Sequence, residues 1–144
     1  MLMIMKVYDA TDQILGRLST HVAKDLLKGE NVFVVNCEKA RLSGNPTVTK
    51  EKYLKKRQRG DPRHGPYFPR MPDGVVMRSI RGMLPTKFQK GQKALRRLKV
   101  LAGLPKEFEK QELIHLEDAD VNRLKCKSIS VEELSLWLGA PKRW

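Results

Sequence analysis

The first 36 residues restrict the fold of this chain more than any other feature. Residues 2–8 are a mostly apolar run bounded by Asp9, as expected for a buried strand. Residues 13–28 place Leu15, Leu18, Val22 and Leu26 at helical spacing on one face, with Asp12 available as N-cap and Gly29 as a C-terminal stop. Residues 31–36 (NVFVVN) form a second short β-branched run. Strand, helix and strand with such tight connections predict a βαβ unit.

The rest of the chain extends that unit. Beyond the turn cluster Ser43-Gly44-Asn45-Pro46, Thr49 is placed to cap a helix with Glu51 in its first turn and Val48 and Tyr53 as a hydrophobic staple. The body of this helix, KEKYLKKRQR, has only Tyr53 and Leu54 as apolar anchors, so packing on protein alone would hold it poorly and a second body must share the load. Residues 60–72 (GDPRHGPYFPRMP) carry four prolines and two glycines, which forbid helix and central strand and predict a stiff, extended loop. Asp73 is expected to cap a helix through VVMRSIRGML that Pro85 stops. Another helix is expected over residues 88–101, with Ala94, Leu95, Leu98 and Leu101 inward and Lys93, Arg96, Arg97 and Lys99 outward. Residues 112–116 read as a further strand. Ser130 with Glu133 forms a capping box, Ile129 with Leu134 a staple, and Gly139 and Pro141 end this last helix. Strands separated by helices predict an α/β sandwich with a largely parallel sheet, to which the central basic helices and the proline loop attach as a binding insertion. At 144 residues, one domain spanning residues 1–144 is expected.

Charge says where the insertion faces. Lys and Arg number 29 against 16 Asp and Glu, a net +13 with a pI near 10.0. Residues 39–99 hold 18 of the cations and only Glu51, Asp61 and Asp73, a net +15, whereas the remainder holds 11 basic and 13 acidic residues. Charge confined in this way reads as a contact surface for phosphates. It alternates with apolar residues such as Tyr53, Tyr67, Phe68, Val75, Ile80 and Leu98, which a disordered tail would not carry. Arg57, Arg59, Arg63, Arg70, Arg78, Arg81, Arg96 and Arg97 suit bidentate phosphate contact and base stacking, and Lys50, Lys52, Lys55, Lys56, Lys87, Lys90, Lys93 and Lys99 add point charge. His64 has a contact role in the proline loop. Tyr67 and Phe68 either stack on unpaired bases or plug their own loop. The absence of RNP, KH and zinc-knuckle patterns favours recognition of folded RNA, over DNA, through shape and backbone.

Signals for chemistry are weak. The first βα turn, DATDQILG, lacks the dinucleotide fingerprint, and GNPTVTK at residues 44–50 lacks the second glycine of a phosphate loop and is followed by Glu51 where Ser or Thr should stand. His21, His64 and His115 have no metal-ligand spacing; surface, contact and buried hydrogen-bonded roles are expected of them respectively. Glu117, Asp118 and Asp120 read as a solvated turn, and Ser43-Gly44 lacks the pattern of a nucleophile elbow. Cys37 and Cys126 are expected as two buried small hydrophobes in a reducing compartment. No apolar stretch is long enough to span a bilayer, and the N-terminal MLMIMKVYDA does not read as a secretory signal. An RNA-modifying enzyme with a nucleotide or methyl-donor cofactor, and a DNA-compacting protein, are the competing readings.

The blocks ILGRLSTHVAKDLLKG, VFVVNCEKARLSG, GDPRHGPYFPRMPDG, RSIRGMLP and GQKALRRLKVLAGLP together resemble the L13 family of large-subunit ribosomal proteins, in its archaeal and eukaryotic-like branch. The resemblance covers residues 7–105, with RGMLP at residues 81–85 and ALRRLKVLAGLP at residues 94–105 as its most specific parts. It implies a three-layer α/β/α sandwich around a four-stranded parallel sheet, no catalytic activity and no cofactor. It also implies partners in large-subunit rRNA and neighbouring large-subunit proteins, a place on the cytoplasmic ribosome, no membrane association and no homo-oligomer. The rRNA-contacting blocks it implies fall on residues 57–70, 78–87 and 90–99, where Gly82 would permit close approach inside a helix.

Overall fold

A computed structural model describes residues 4–144. The βαβ unit is present: β1 (Met5–Asp9), α1 (Leu15–Lys28) and β2 (Asn31–Val35), with β1 and β2 parallel and Tyr8 opposite Val34. Gly29 ends α1 at φ 99°, a backbone conformation open to glycine. The expected start is corrected. Asp12 has a φ of 53° and does not cap the helix; Ile14 holds the N-cap position, and the first helical residue is Leu15. Residues 2 and 3 of the expected first strand lie outside the described residues.

Next come β3 (Arg41–Ser43), α2 (Pro46–Gln58), α3 (Pro72–Gly82), α4 (Gln89–Arg96), β4 (Leu98–Val100), β5 (Ser128–Ser130) and α5 (Val131–Trp137). The helix expected over residues 88–101 stops at Arg96, and the chain turns into a strand. Two forces decide this. Leu98 and Val100 alternate with exposed Lys99 at the strand period, and β2 offers a free edge: Val32 N–H donates to the Arg97 carbonyl at 3.1 Å, and Leu101 N–H to that of Val34 at 2.8 Å. β4 thus joins β2 in parallel.

Among the described residues the resulting sheet has three strands, in the order β1-β2-β4, where four were expected. Where a fourth was expected, over residues 112–116, there is one parallel bridge from Ile114 to Tyr8. Ile114 N–H donates to Val7 O and its carbonyl accepts from Asp9 N–H, but the next inward N–H, that of Leu116, goes to the Gln13 side chain. The ladder is diverted after one rung. β3 and β5 form a separate antiparallel pair that sequence periodicity did not reveal, three residues being too short to show a period.

The two faces of the sheet differ. Tyr8, Val32, Val34, Leu98 and Val100 share one core with Leu18, Val22 and Leu26 of α1, Val76 and Ile80 of α3, Ala94 of α4 and Val131 of α5. The opposite face carries a smaller cluster, Val7 and Val35 with Phe108 from a single 3-10 turn (Lys106–Phe108). Helices therefore cover one face, and the second helical layer of the expected sandwich is replaced by that turn.

Helix ends show which caps operate. Pro46 occupies the first turn of α2, and the Asn45 side chain accepts from Thr47 N–H at 3.0 Å, so Asn45 caps where Thr49 was expected. Val48 is exposed and makes no staple. Met71, not Asp73, is the N-cap of α3, with Asp73 in the first turn, and the helix ends at Gly82. Ser130 caps α5 as expected, its hydroxyl accepting from Glu133 N–H at 3.1 Å, with Ile129 and Leu134 buried together. Cys37 is buried, but Cys126 is exposed, correcting the second half of that pair. His115 is likewise exposed; its ring meets the Gln13 side chain at 3.0 Å.

Candidate nucleic-acid interface

α2 has no fully buried residue, so its position depends on few contacts. Tyr53 and Leu54 pack on the Ile129, Leu134 and Leu138 cluster, and Tyr53 meets Phe68 of the proline loop edge to face, with centroids 5.6 Å apart. Every other apolar contribution is minor, as the sequence required. The consequence is a helix that holds Lys52, Lys55, Arg57 and Arg59 in solvent on a short hydrophobic foot.

The proline loop returns against this helix. Its first half is closed by paired backbone bonds between Asp61 and Gly65, with Arg63 N–H donating to the Asp61 carboxylate at 2.9 Å. Phe68 turns inward, as the loop-plug reading expects, and Tyr67 turns outward. Tyr67 is 64% exposed, while its hydroxyl donates to Pro62 O at 2.7 Å. Lys56 Nζ and Arg78 Cζ each stand 5.5 Å from the Phe68 centroid, and Lys56 lies 4.8 Å from that of Tyr53. Burial lowers the Lys56 ammonium below its ordinary range, and the charges of Lys52, Arg59 and Arg78 push it the same way.

A second group gathers around α4. Lys93 and Arg96 line a hollow with Gln89 and Gln92, and Arg96 borders another with Met5, Phe33 and Lys99 on the helix-free face of the sheet. Lys87 and Lys90 are exposed beside Phe88, which at 69% is the most exposed large apolar residue described. Read from sequence alone, Phe88 has no role beyond the first residue of the expected helix over 88–101; its flanking by Lys87 and Lys90 is the available signal. Gly91 lets α4 close on the preceding turn, since a Cβ there would overlap the Pro85 carbonyl. At Gly82 a Cβ would meet nothing within 4 Å, so no packing within the chain requires glycine.

The selected cations are not equivalent. Arg57 donates to the Leu138 carbonyl at 2.8 Å, and Arg97 to that of Leu26 at 2.8 Å, so both secure helix ends. Arg70 lies beside Gly139 at the same end of α5. Lys50 pairs with Glu133 at 3.1 Å, and His64 stands 3.4 Å from Asp61. Lys52, Lys55, Arg59, Arg63, Arg81, Lys87, Lys90, Lys93, Arg96 and Lys99 are all exposed. Among the described residues, Arg41 and Lys50 are the only ones of the 18 Lys and Arg of residues 39–99 within 4.0 Å of a carboxylate.

The family model described as ribosomal protein L13 matches residues 4–107. The chain belongs to this family. It is 46% identical over 138 residues to the large ribosomal subunit protein uL13 of Methanosarcina barkeri, covering 94% of this chain and 99% of that protein. Identity to the protein of the same name from Sulfolobus acidocaldarius is 47% over 141 residues, covering 95% of each, and to that from Methanococcoides burtonii 44% over 137 residues, covering 94% and 99%. L13 proteins are structural, not enzymes, and the reading as an RNA-modifying enzyme gives way to that membership. The L13 match includes α2, the proline loop, α3 and α4, the elements that carry the uncompensated charge.

Proposed function

We propose that this protein is a structural constituent of the large ribosomal subunit that binds folded large-subunit rRNA and supports subunit assembly. In this reading it acts as one domain, residues 1–144, with residues 39–99 as the RNA-binding portion, on the cytoplasmic ribosome and beside other large-subunit proteins. The observation that carries it is the unneutralised charge: 18 cations in one segment, of which two meet a carboxylate. Left in water, such a set repels itself; laid on a phosphate backbone, each contact releases condensed counterions. The contact set is Lys50, Lys52, Lys55, Lys56, Arg57, Arg59, Arg63, His64, Arg70, Arg78, Arg81, Lys87, Lys90, Lys93, Arg96, Arg97 and Lys99. Within it the exposed residues supply phosphate contacts, while exposed Arg57 and half-buried Arg97 also hold the surface in shape through the carbonyls of Leu138 and Leu26.

The test is sedimentation of the tagged protein with large subunits at increasing salt, followed by RNA crosslinks mapped to residues. Co-sedimentation that resists moderate salt, with crosslinks concentrated in residues 39–99, is expected. Recovery only in the ribosome-free fraction, or crosslinks spread evenly along the chain, would refute it.

A further inference from the structure

Phe68 holds two cations in place before any ligand arrives. Lys56 and Arg78 both rest on its ring, Arg78 also reaches back to the Tyr67 carbonyl at 3.4 Å, and Tyr53 fixes the ring from its edge. Lys56, Arg59, Pro66, Phe68 and Arg78 line a hollow of about 280 Å³ that has three cationic walls and no carboxylate. None of the three cations has a carboxylate within 4.0 Å among the described residues. The arrangement gathers three positive charges around one hollow with no carboxylate in its lining, and ring contacts restrain two of them, Lys56 and Arg78. Such a site is preorganised for one compact anion with several acceptor oxygens.

Beside the hollow stands Tyr67. It borders the adjoining depressions on both sides, one with Arg57 and Arg59 and the other with Met77, Arg78 and Arg81. Because its hydroxyl is tied to Pro62 O, the ring is an immobilised, exposed platform and not a mobile side chain. An exposed aromatic fixed among arginines is the usual stacking surface for an unpaired base. Paired bases in an RNA helix keep their faces inside the stack, so the platform selects a nucleotide that has left it.

Resting on the rRNA-binding reading above, we propose that this corner captures one looped-out nucleotide of folded RNA, its backbone phosphate seated by Lys56, Arg59 and Arg78 and its base stacked on Tyr67. The phosphate supplies the missing counter-charge, opposing the lowering of the Lys56 ammonium that burial chiefly causes and the neighbouring cations add to.

The experiment uses the full chain with three probes: a large-subunit rRNA fragment that the wild type binds, a fully paired RNA duplex of equal length, and inorganic phosphate as competitor. Tyr67→Ala is expected to lose about tenfold in affinity for the rRNA fragment, with an unchanged salt slope and no loss on the duplex. Tyr67→Phe keeps the ring but loses the bond to Pro62 O that holds it, and is expected to bind more weakly than wild type by about threefold, between wild type and Tyr67→Ala. The Lys56→Gln/Arg78→Gln pair should lower the salt slope by about one phosphate. Irradiation should join Tyr67 directly to an unpaired nucleotide. Equal binding by Tyr67→Ala and wild type, an equal loss on the duplex, or displacement of the fragment by millimolar phosphate would each overturn the proposal, the last assigning the seat to free phosphate. Failure of the wild type to bind any large-subunit fragment would instead overturn the underlying rRNA reading. Melting curves of the three variants keep the test sound, since a variant that melts with the wild type has kept its fold.

Discussion

Arg96 and Arg97 are adjacent, chemically identical and, in the sequence, indistinguishable as RNA contacts; the structure separates them. Arg97 is half-buried, and its Nη2 donates to Leu26 O at 2.8 Å in the last turn of α1, with Nε buried and without a hydrogen-bond partner. A charge-assisted bond of this kind contributes about 1.5 kcal/mol here, near the low end because Leu26 O also accepts from Gly29 N–H. A cation at the C-terminus of a helix adds about 0.5 kcal/mol, which the unpartnered Nε partly offsets. Arg97→Ala should therefore destabilise the protein by about 1.5 kcal/mol, a fall of roughly 6 °C in Tm for a domain of this size. Arg96 is exposed, so Arg96→Ala should change stability by less than about 0.5 kcal/mol. On an rRNA fragment the order reverses. Arg96→Ala should lower the slope of log K against log salt by about 0.9 on duplex-like RNA, while Arg97→Ala leaves the slope unchanged. The assay is a thermal melt of each variant beside a binding titration at several salt concentrations. An Arg97→Ala protein that melts with the wild type but binds with a flatter slope would refute this division.

Two glycines in helices should respond with opposite sign. Gly82→Ala meets open space and should stabilise the free protein by up to about 1 kcal/mol, whereas Gly91→Ala collides with the Pro85 carbonyl and should destabilise it; urea midpoints of both variants decide. Asp25 is pushed up by burial, but hydrogen bonds from the Tyr8 hydroxyl and the Lys6 ammonium outweigh that and hold its carboxyl below the usual range. Its contribution to stability is therefore full above about pH 4, the unfolded value, and is lost as pH falls through the lower folded value. Asp25→Asn should lose about 2 kcal/mol at neutral pH and flatten the acid limb, and an unchanged acid limb in urea melts from pH 7 to pH 2 would count against the assignment. Ser130→Ala removes the cap of α5 and should cost about 1 kcal/mol in the same assay, with no effect if that bond is unimportant.

The readable parts of this chain were those in which a local rule acted alone. α1 declared itself by four leucines and valines on one face and by Gly29, and α5 by Ser130 and its staple. β4 was misread because Leu98 and Leu101 continue the helical arc of Ala94 and Leu95 while Leu98 and Val100 also alternate; the free edge of β2, invisible in sequence, settles the choice. The fourth strand failed for a similar reason, since the Gln13 side chain that takes the N–H of Leu116 is 103 residues away. At the candidate interface, charge marks the segment proposed to bind RNA but does not assign individual roles within it. Arg57 and Arg97 differ from Arg59 and Arg96 only by helical phase at a helix end, and only the fold supplies the carbonyls of Leu138 and Leu26 that engage them.

The division of charge also explains why scaffold and interface can be separate designs. On the scaffold, anions and cations meet: Lys6 reaches Asp25 and Glu30, Lys28 reaches Asp25, His21 reaches Asp118, and Lys142 reaches Glu132. Near-neutral in sum, with 11 basic and 13 acidic residues, that part has no excess charge that calls for a partner. Residues 39–99 carry a net +15 with ion pairs only at Arg41 and Lys50 among the described residues, and the supports of Lys56, Arg57, Arg78 and Arg97 carry no negative charge: the rings of Phe68 and Tyr53, and the carbonyls of Tyr67, Leu138 and Leu26. A carboxylate in those places would hold the cations more strongly and also neutralise them. Aromatic faces and backbone oxygens position a guanidinium or ammonium without consuming its charge, which stays available to phosphate. It follows that Phe68→Leu, which preserves an apolar plug but removes the ring under Lys56 and Arg78, should weaken rRNA binding while moving Tm little. Replacing Arg59 with Glu should do the reverse of a neutral change: an ion pair with Lys56 would restore local compensation, and affinity should fall further than in Arg59→Gln. Equal affinities for the two Arg59 variants would show that the free charge of this corner contributes nothing to binding.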